Sequence, residues 1–263
     1  MTTEEYFNIK VHNLPDEPAP PPKRTGLLVA IALCVLFAAI VLVIWLRARC
    51  RTGQAAETRP MIRLNPIIAQ RSVDALKEHD PSFDPQAFTE RTRAVVAAVN
   101  KAWLAGEMGP ARRLISDGVF VRFTTQLHLL RSQGLRNAMA DWRVVSAEIL
   151  AADCDDLWDT VHVKIVGAAR DQDLPLELPP GEADKRLQRV KLAEYDEAWS
   201  FVRRRGKNSL KGAPALEGRC PSCGAPTDKV NMAGTCEYCG AHLTRGEFDW
   251  VLSKIEQDES YRG

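Results

Sequence analysis

Net charge is nearly absent from this sequence. Its 263 residues carry 35 Lys and Arg against 34 Asp and Glu, which leaves +1 with histidine neutral. A chain so balanced has no bulk electrostatic attraction for nucleic acid. Histidine is scarce: His12, His79, His128, His162 and His242 are the five. None lies in a helical two-histidine metal motif and none joins a nucleophile pattern, so no enzyme is expected. His162 falls on a strand face opposite Val161 and Val163, and His128 on the polar edge of a helix. A hydrogen-bonded or solvated histidine is the ordinary occupant of such positions. A phosphate loop is missing as well, because Gly206-Lys207 is followed by Asn208. Cysteine is limited to seven, an odd count unlike the even framework of a small disulfide-stapled secreted domain.

Four of those cysteines are concentrated. Cys220-Pro-Ser-Cys223-Gly-Ala and Cys236-Glu-Tyr-Cys239-Gly-Ala repeat one pattern with twelve residues between the pairs. Each pair presents two sulfurs to one point, and four thiolates close a tetrahedral shell suited to zinc. The expected ligands of one structural zinc ion are therefore Cys220, Cys223, Cys236 and Cys239. Local disulfides or a redox pair are the other uses of the spacing. Gly224 and Gly240 follow the second cysteine of each pair, where a tight turn needs a residue without Cβ strain. A closed four-sulfur shell leaves no position for substrate water, so the metal is expected to fold a small module and not to react. From Lys207 to Gly263 there are seven Lys/Arg and eight Asp/Glu, a net of −1. That is no basic footprint, so a ribbon reading nucleic acid is the weaker alternative.

The one long apolar run is Gly26–Leu46, 21 residues without a charge. About 20 apolar residues span a bilayer as a helix. Arg47, Arg49 and Arg51 follow at once, and Trp45 stands where an interfacial aromatic belongs. The C-terminal flank carries Arg47, Arg49, Arg51, Arg59 and Arg63 against Lys10, Lys23 and Arg24 on the other side. Lys/Arg bias keeps the richer flank in the cytoplasm, and free thiolates persist best in a reducing compartment. The expectation is a single-pass protein of the inner membrane with its C-terminal part cytoplasmic. Arg47, Arg49 and Arg51 would face anionic headgroups, each for about 1 kcal/mol.

The rest divides by pattern. Residues 1–25 hold Pro-Asp-Glu-Pro-Ala-Pro-Pro-Pro, an extended spacer. Residues 26–46 are the span. Residues 47–79 are a basic linker ending in a short helix over Pro66–Asp80. Residues 80–206 form the folded region, and 207–263 the zinc-ribbon module with a docking segment, Glu247–Ile255. Within 80–206, Asp84-Pro85 reads as a helix cap and first position. Phe88, Thr92, Val95, Val96, Val99, Ala102 and Trp103 then keep a 3.6 period as far as Gly106. A second helix starts near Ser116 and carries Phe120, Phe123, Leu127 and Leu130 to a stop at Gly134. Strands follow at Asp141–Ala151, Thr160–Ala169 and Val190–Arg205, with a hairpin turn at Asp153–Asp156 and a loop over Leu174–Asp184. Helices first and antiparallel strands after mean an α+β fold.

The segments DPSFDPQAFTERTRAVVAAVNKAW, FVRFTTQLHLLRSQGLRNAM, VVSAEIL, VHVKIVGAAR and EAWSFVRR resemble the Tim-forty-four-like family, from about Asp80 to Arg205. The family is named after a mitochondrial inner-membrane import subunit. Bacterial members that resemble this chain are membrane-anchored and end in a paired-cysteine ribbon. The resemblance implies a nuclear-transport-factor-two-like cone, with helices on a curved antiparallel sheet around an apolar pocket. It implies a non-enzymatic scaffold that binds a protein partner at the membrane, in protein translocation or membrane-protein biogenesis. The long chaperone-binding region of the import subunit is missing, so that specific role does not carry over. A lipid or small apolar ligand in the cone is the alternative, and a membrane-held nucleic-acid adaptor the second.

Overall fold

The computed structural model describes residues 62–209, 217–227 and 230–257. The tail 1–25, the apolar run 26–46 and the arginines at 47, 49 and 51 lie outside them. Among the described residues, no helix is long and apolar enough to cross a membrane.

Local chemistry sets the helix starts. In α1 (Pro66–His79), Asn65 accepts from the amides of Ile67 and Ile68 at 3.1 and 3.3 Å, and proline takes the first position. In α2 (Pro85–Leu104), Asp84 does the same for Gln86 and Ala87 at 2.9 and 3.2 Å. In α3 (Asp117–Ser132), Ser116 Oγ accepts from Val119 N. Such caps satisfy amides that have no partner inside the helix. A short 3-10 helix, Gly109–Leu114, joins α2 to α3. Gly134 ends the third helix with φ 70°, and the first strand begins at the next residue.

The strands β1 (Leu135–Cys154), β2 (Trp158–Pro175), β3 (Ala193–Arg204) and β4 (Val251–Gln257) form one antiparallel sheet in the order β1-β2-β3-β4. The mixture of helices with an antiparallel sheet is the α+β architecture expected. Two details differ from the sequence reading. The first strand begins six residues earlier than Asp141, and three register irregularities between Ala140 and Ala151 interrupt its pairing. Each irregularity breaks the alternation by which a strand is recognised, and each bends the sheet. The loop expected over Leu174–Asp184 contains most of a helix, α4 (Pro180–Leu187), which buries only Ala183 and Leu187. Two apolar contacts in eight residues leave too short a stripe to read.

The helices cover one sheet face. Val161, Val163 and Ile165 of β2 and Trp199 and Phe201 of β3 meet Leu76, Phe88, Val95, Val96 and Val99 there. Phe83, Phe88, Phe201 and Trp250 form an aromatic cluster with ring centroids 5.2 to 6.0 Å apart. Trp250 arrives from beyond the cysteine pairs, as does β4. The docking segment is thus a strand of the sheet, and the cysteine-bearing residues are inserted between β3 and β4.

A buried ionic cluster lies under these rings. Arg203 and Asp80 are both 0% exposed and 2.9 Å apart, and Asp159 holds the other guanidinium nitrogen at 3.1 Å. Ser209 donates to Asp80 through both its amide and its hydroxyl, at 2.9 and 2.7 Å. The Arg203 guanidinium stacks 4.3 Å from the centre of the Trp250 ring. Burial alone would raise the Asp80 pKa. The hydrogen bonds from Ser82, Ser209 and Arg203, with the Arg203 charge, outweigh it and hold the carboxyl below its ordinary value.

Asp80→Asn should lower stability at neutral pH by about 3 kcal/mol, because it leaves a buried guanidinium short of a counter-charge. A group with a depressed folded-state pKa stabilises above its unfolded value, about 3.9. The gap between parent and variant in urea unfolding should therefore close as pH falls through the folded-state pKa. A gap that stays constant down to pH 2 would contradict this.

Candidate metal centre

Two equivalent turns build the centre. Cys220 N donates to Ala225 O at 2.7 Å and Gly224 N to Cys220 O at 2.8 Å. Cys236 N donates to Ala241 O at 2.8 Å and Gly240 N to Cys236 O at 2.9 Å. Gly224 and Gly240 take φ of 75° and 71°, a left-handed conformation that side chains resist. The repeated Cys-x-x-Cys-Gly-Ala pattern therefore folds twice into one geometry, and each copy aims two sulfurs at the other.

All four sulfurs lie within 4.8 Å of one another. Cys220 and Cys239 are 3.8 Å apart, and Cys223 and Cys236 are 3.9 Å apart. Bonded sulfurs would stand at about 2.0 Å. A tetrahedral ion with sulfur bonds of about 2.3 Å sets its ligands about 3.8 Å apart. Both of these pairs join different knuckles, which suits one shared ion better than two local disulfides. Cys220 and Cys236 are buried, whereas Cys223 and Cys239 are exposed. A small core of Leu243, Val230 and Ala241 backs the buried pair.

The thiols influence one another. The Ala241 amide and then the Cys223 thiol favour the Cys239 thiolate and lower its pKa to about 7. The Ala225 amide favours the Cys223 thiolate, but the Cys239 sulfur and burial oppose it, and the pKa is pushed up to about 12. Burial raises Cys220. One proton leaves readily, and the next leaves against the charge of the first. Four sulfurs this close could hold one metal ion between them. The donor set is all sulfur, so it fits a thiolate-seeking ion of tetrahedral preference.

The module is bonded to the helical face. Arg112, 2% exposed, pairs with Asp117 and donates to Met232 O at 3.1 Å. Thr244 Oγ1 donates to Asp117 Oδ1 at 2.9 Å. Gly234 sits so close that a Cβ there would stand 2.1 Å from Thr244 Oγ1 and 2.7 Å from Arg112 Nη2. Further along, Arg204 N donates to Gly246 O at 2.7 Å. Arg91 of α2 pairs with Asp249 at 3.0 Å and donates to Trp250 O at 2.9 Å. Nothing in the spacing of Arg91, Arg112 or Asp117 marks them in sequence. They are single charged residues on helices, and only the packing pairs them with a segment over a hundred residues away.

The other cysteines and histidines do not join the centre. Cys154 ends β1 with its thiol pKa pushed up to about 11 by burial and by the Asp159 charge. Cys34, Cys50 and His12 lie outside the described residues. His242 belongs to the module and pairs with Thr235 as an isolated bridge. His79 contacts Arg205 at 3.0 Å, and His128 is exposed on α3. His162 bridges Ser200 Oγ at 2.8 Å and Asp153 Oδ2 at 2.9 Å across the sheet face opposite the helices. Ser200 is only 3% exposed, so this is a cross-strand hydrogen-bond chain without an accessible nucleophile. Among the described residues, open clefts lie where helices meet β1. One, about 510 Å³, runs between Leu104, Met139, Leu176 and α4. The other, about 410 Å³, lies between α1, the start of α2 and Ile149.

Elemental analysis of the purified full chain should return one bound metal ion per molecule. Cys220→Ser combined with Cys236→Ser should abolish it, since these two sulfurs form the buried half of the shell. A parent chain that folds normally without bound metal would overturn the assignment of the site.

Among curated proteins, none matches the chain. The family model that matches is described as the Tim44-like domain, over residues 69–172. That stretch takes in most of α1, all of α2 and α3, all of β1 and most of β2; β3, β4 and the cysteine module lie beyond it. Residues 69–172 of this chain are a Tim44-like domain.

Proposed function

We propose that this chain is a non-enzymatic scaffold, tethered by the span at 26–46, that holds a protein partner at the inner face of the membrane. The observation that carries the reading is the Tim44-like domain at residues 69–172, in a chain that also holds a 21-residue uncharged run at Gly26–Leu46. Helices packed on one face of an antiparallel sheet support the reading of the folded region as a nuclear-transport-factor-two-like cone. Its interior is filled by Phe88, Phe201 and Trp250, which favours a protein-binding role over a ligand in the cone.

A tether transmits position only if its far end is fixed. Ile62, the first described residue, is held by both backbone groups. Its amide donates to Asp196 at 2.8 Å and its carbonyl accepts from Lys164 at 2.6 Å. Lys164 and Asp196 are themselves paired at 3.5 Å with little exposure. The 15 residues at 47–61 reach at most about 50 Å when fully extended. The domain therefore works within that distance of the bilayer, with Arg47, Arg49 and Arg51 against anionic headgroups. Protein translocation or membrane-protein biogenesis is the process such a scaffold serves. Zinc is the ion proposed for Cys220, Cys223, Cys236 and Cys239, as the abundant tetrahedral cation suited to four thiolates in a reducing compartment.

Native mass spectrometry of the full chain, gently extracted from its own membranes, tests the scaffold. A co-isolated protein held in defined stoichiometry is expected. A monomer that carries only metal and one retained lipid would overturn the reading in favour of an apolar-ligand carrier. Protease added outside intact spheroplasts should leave residues 62–257 uncut; their digestion would reverse the proposed orientation.

A further inference from the structure

The cysteine module interrupts the sheet. The last residue of β3 is Arg204 and the first of β4 is Val251, so 46 residues intervene, and all four cysteines are among them. A sheet strand and a core tryptophan therefore lie downstream of the metal centre. We infer that metal occupancy of the four-cysteine centre latches β4 and Trp250 onto the α+β domain, so that the centre controls the sheet edge and core of its neighbour as well as its own fold. The inference rests on the reading that these cysteines hold a metal ion.

Three observations converge on it. First, the module has little core of its own, with Leu243, Val230 and Ala241 behind the buried cysteines. A unit this small depends on metal for its folding. Second, the contacts that seat the module lie on both sides of the second knuckle. Met232, Gly234 and Thr244 meet Arg112 and Asp117 next to the second knuckle. Gly246, with φ 67°, passes so close to β3 that a Cβ would stand 2.9 Å from Val202 O. This geometry exists only while the intervening chain keeps its shape. Third, β4 has just seven residues, and its pairing with β3 slips between Ser200 and Phe201. A strand this short, joined by a long excursion, carries the loop-closure entropy of that excursion unless the excursion is folded.

The centre is also placed to exchange its ion. One cysteine of each knuckle, Cys223 and Cys239, faces solvent. An ion held by two exposed and two buried sulfurs is within reach of a competing chelator. When the ion leaves, the edge amides of β3 lose their partners on β4. The aromatic cluster loses Trp250, and the Arg203 guanidinium loses its stacked ring.

Hydrogen exchange read by mass spectrometry on the full chain in detergent tests the latch, with zinc bound and after removal by a strong chelator. On removal, amides of 251–257 and the paired amides of 197–202 should exchange at least tenfold faster, while β1 and the β1-facing amides of β2 keep their protection. Added zinc should restore the original pattern. Unchanged protection in β4 with metal demonstrably gone would overturn the latch while leaving the metal site intact. Uniform loss of protection through β1 and β2 would also overturn it, since no separable latch would exist. A chain that binds no metal ion would remove both the site and the latch. A second variant replaces the chelator. Cys220→Ser combined with Cys236→Ser should show the same selective loss of protection in β4 with β1 still protected, and β4 that stays protected in that variant would count against the latch.

Discussion

Arg203 is a fully buried cation, and the rest of the structure is arranged to receive it. Two carboxylates, Asp80 and Asp159, meet its edges, and the Trp250 ring covers its face. These groups come from four places in the chain: the turn after α1, the start of β2, the end of β3 and the segment before β4. A guanidinium out of water is tolerated only when paired and hydrogen-bonded, and removal of any partner exposes the full desolvation cost. The cluster thus requires the helices, the central strands and the C-terminal segment to be in place together. The planar, always-charged guanidinium suits this position because its edges take carboxylates while its face takes an aromatic ring.

Sheet curvature and the position of the entering chain follow from neighbouring constraints. The register irregularities in β1 bend the long hairpin, which lets α1, α2 and α3 share one face. On the opposite face, the Lys164–Asp196 pair takes hold of both backbone groups of Ile62. The first described residue is thereby fixed to the middle strands, β2 and β3. The cysteine centre is fixed to the helical face by Arg112 and Asp117.

The Tim44-like match ends within β2, yet the folded unit does not. β3, β4 and Trp250 complete a core that begins inside the matched residues. A boundary drawn after β3 on composition separates the cysteine module from a sheet that its own downstream residues finish. Composition changes sharply there, with cysteine and glycine rising and apolar periodicity fading, but topology does not change with it.

Local chemistry was legible in the sequence wherever a few adjacent residues decide a conformation. Asp84-Pro85 and Ser116 mark helix starts, Gly134 marks a stop, and the repeated Cys-x-x-Cys-Gly-Ala pattern marks two knuckles; all act over a handful of residues through capping, positive φ and ligand spacing. The alternation of Val161, Val163 and Ile165 marked the core face of β2 in the same way. Other features were settled only by tertiary structure. Helix α4 buries too little to show a period, and the bulges of β1 erase the alternation that would have revealed its first residues. That Glu247–Ile255 contains most of a strand of the main sheet, and that Arg203 pairs with residues 123 and 44 positions away, depend on long-range packing. Spacing carries information about neighbours along the chain, whereas burial of a charge or the pairing of a short edge strand is decided by which distant surfaces meet.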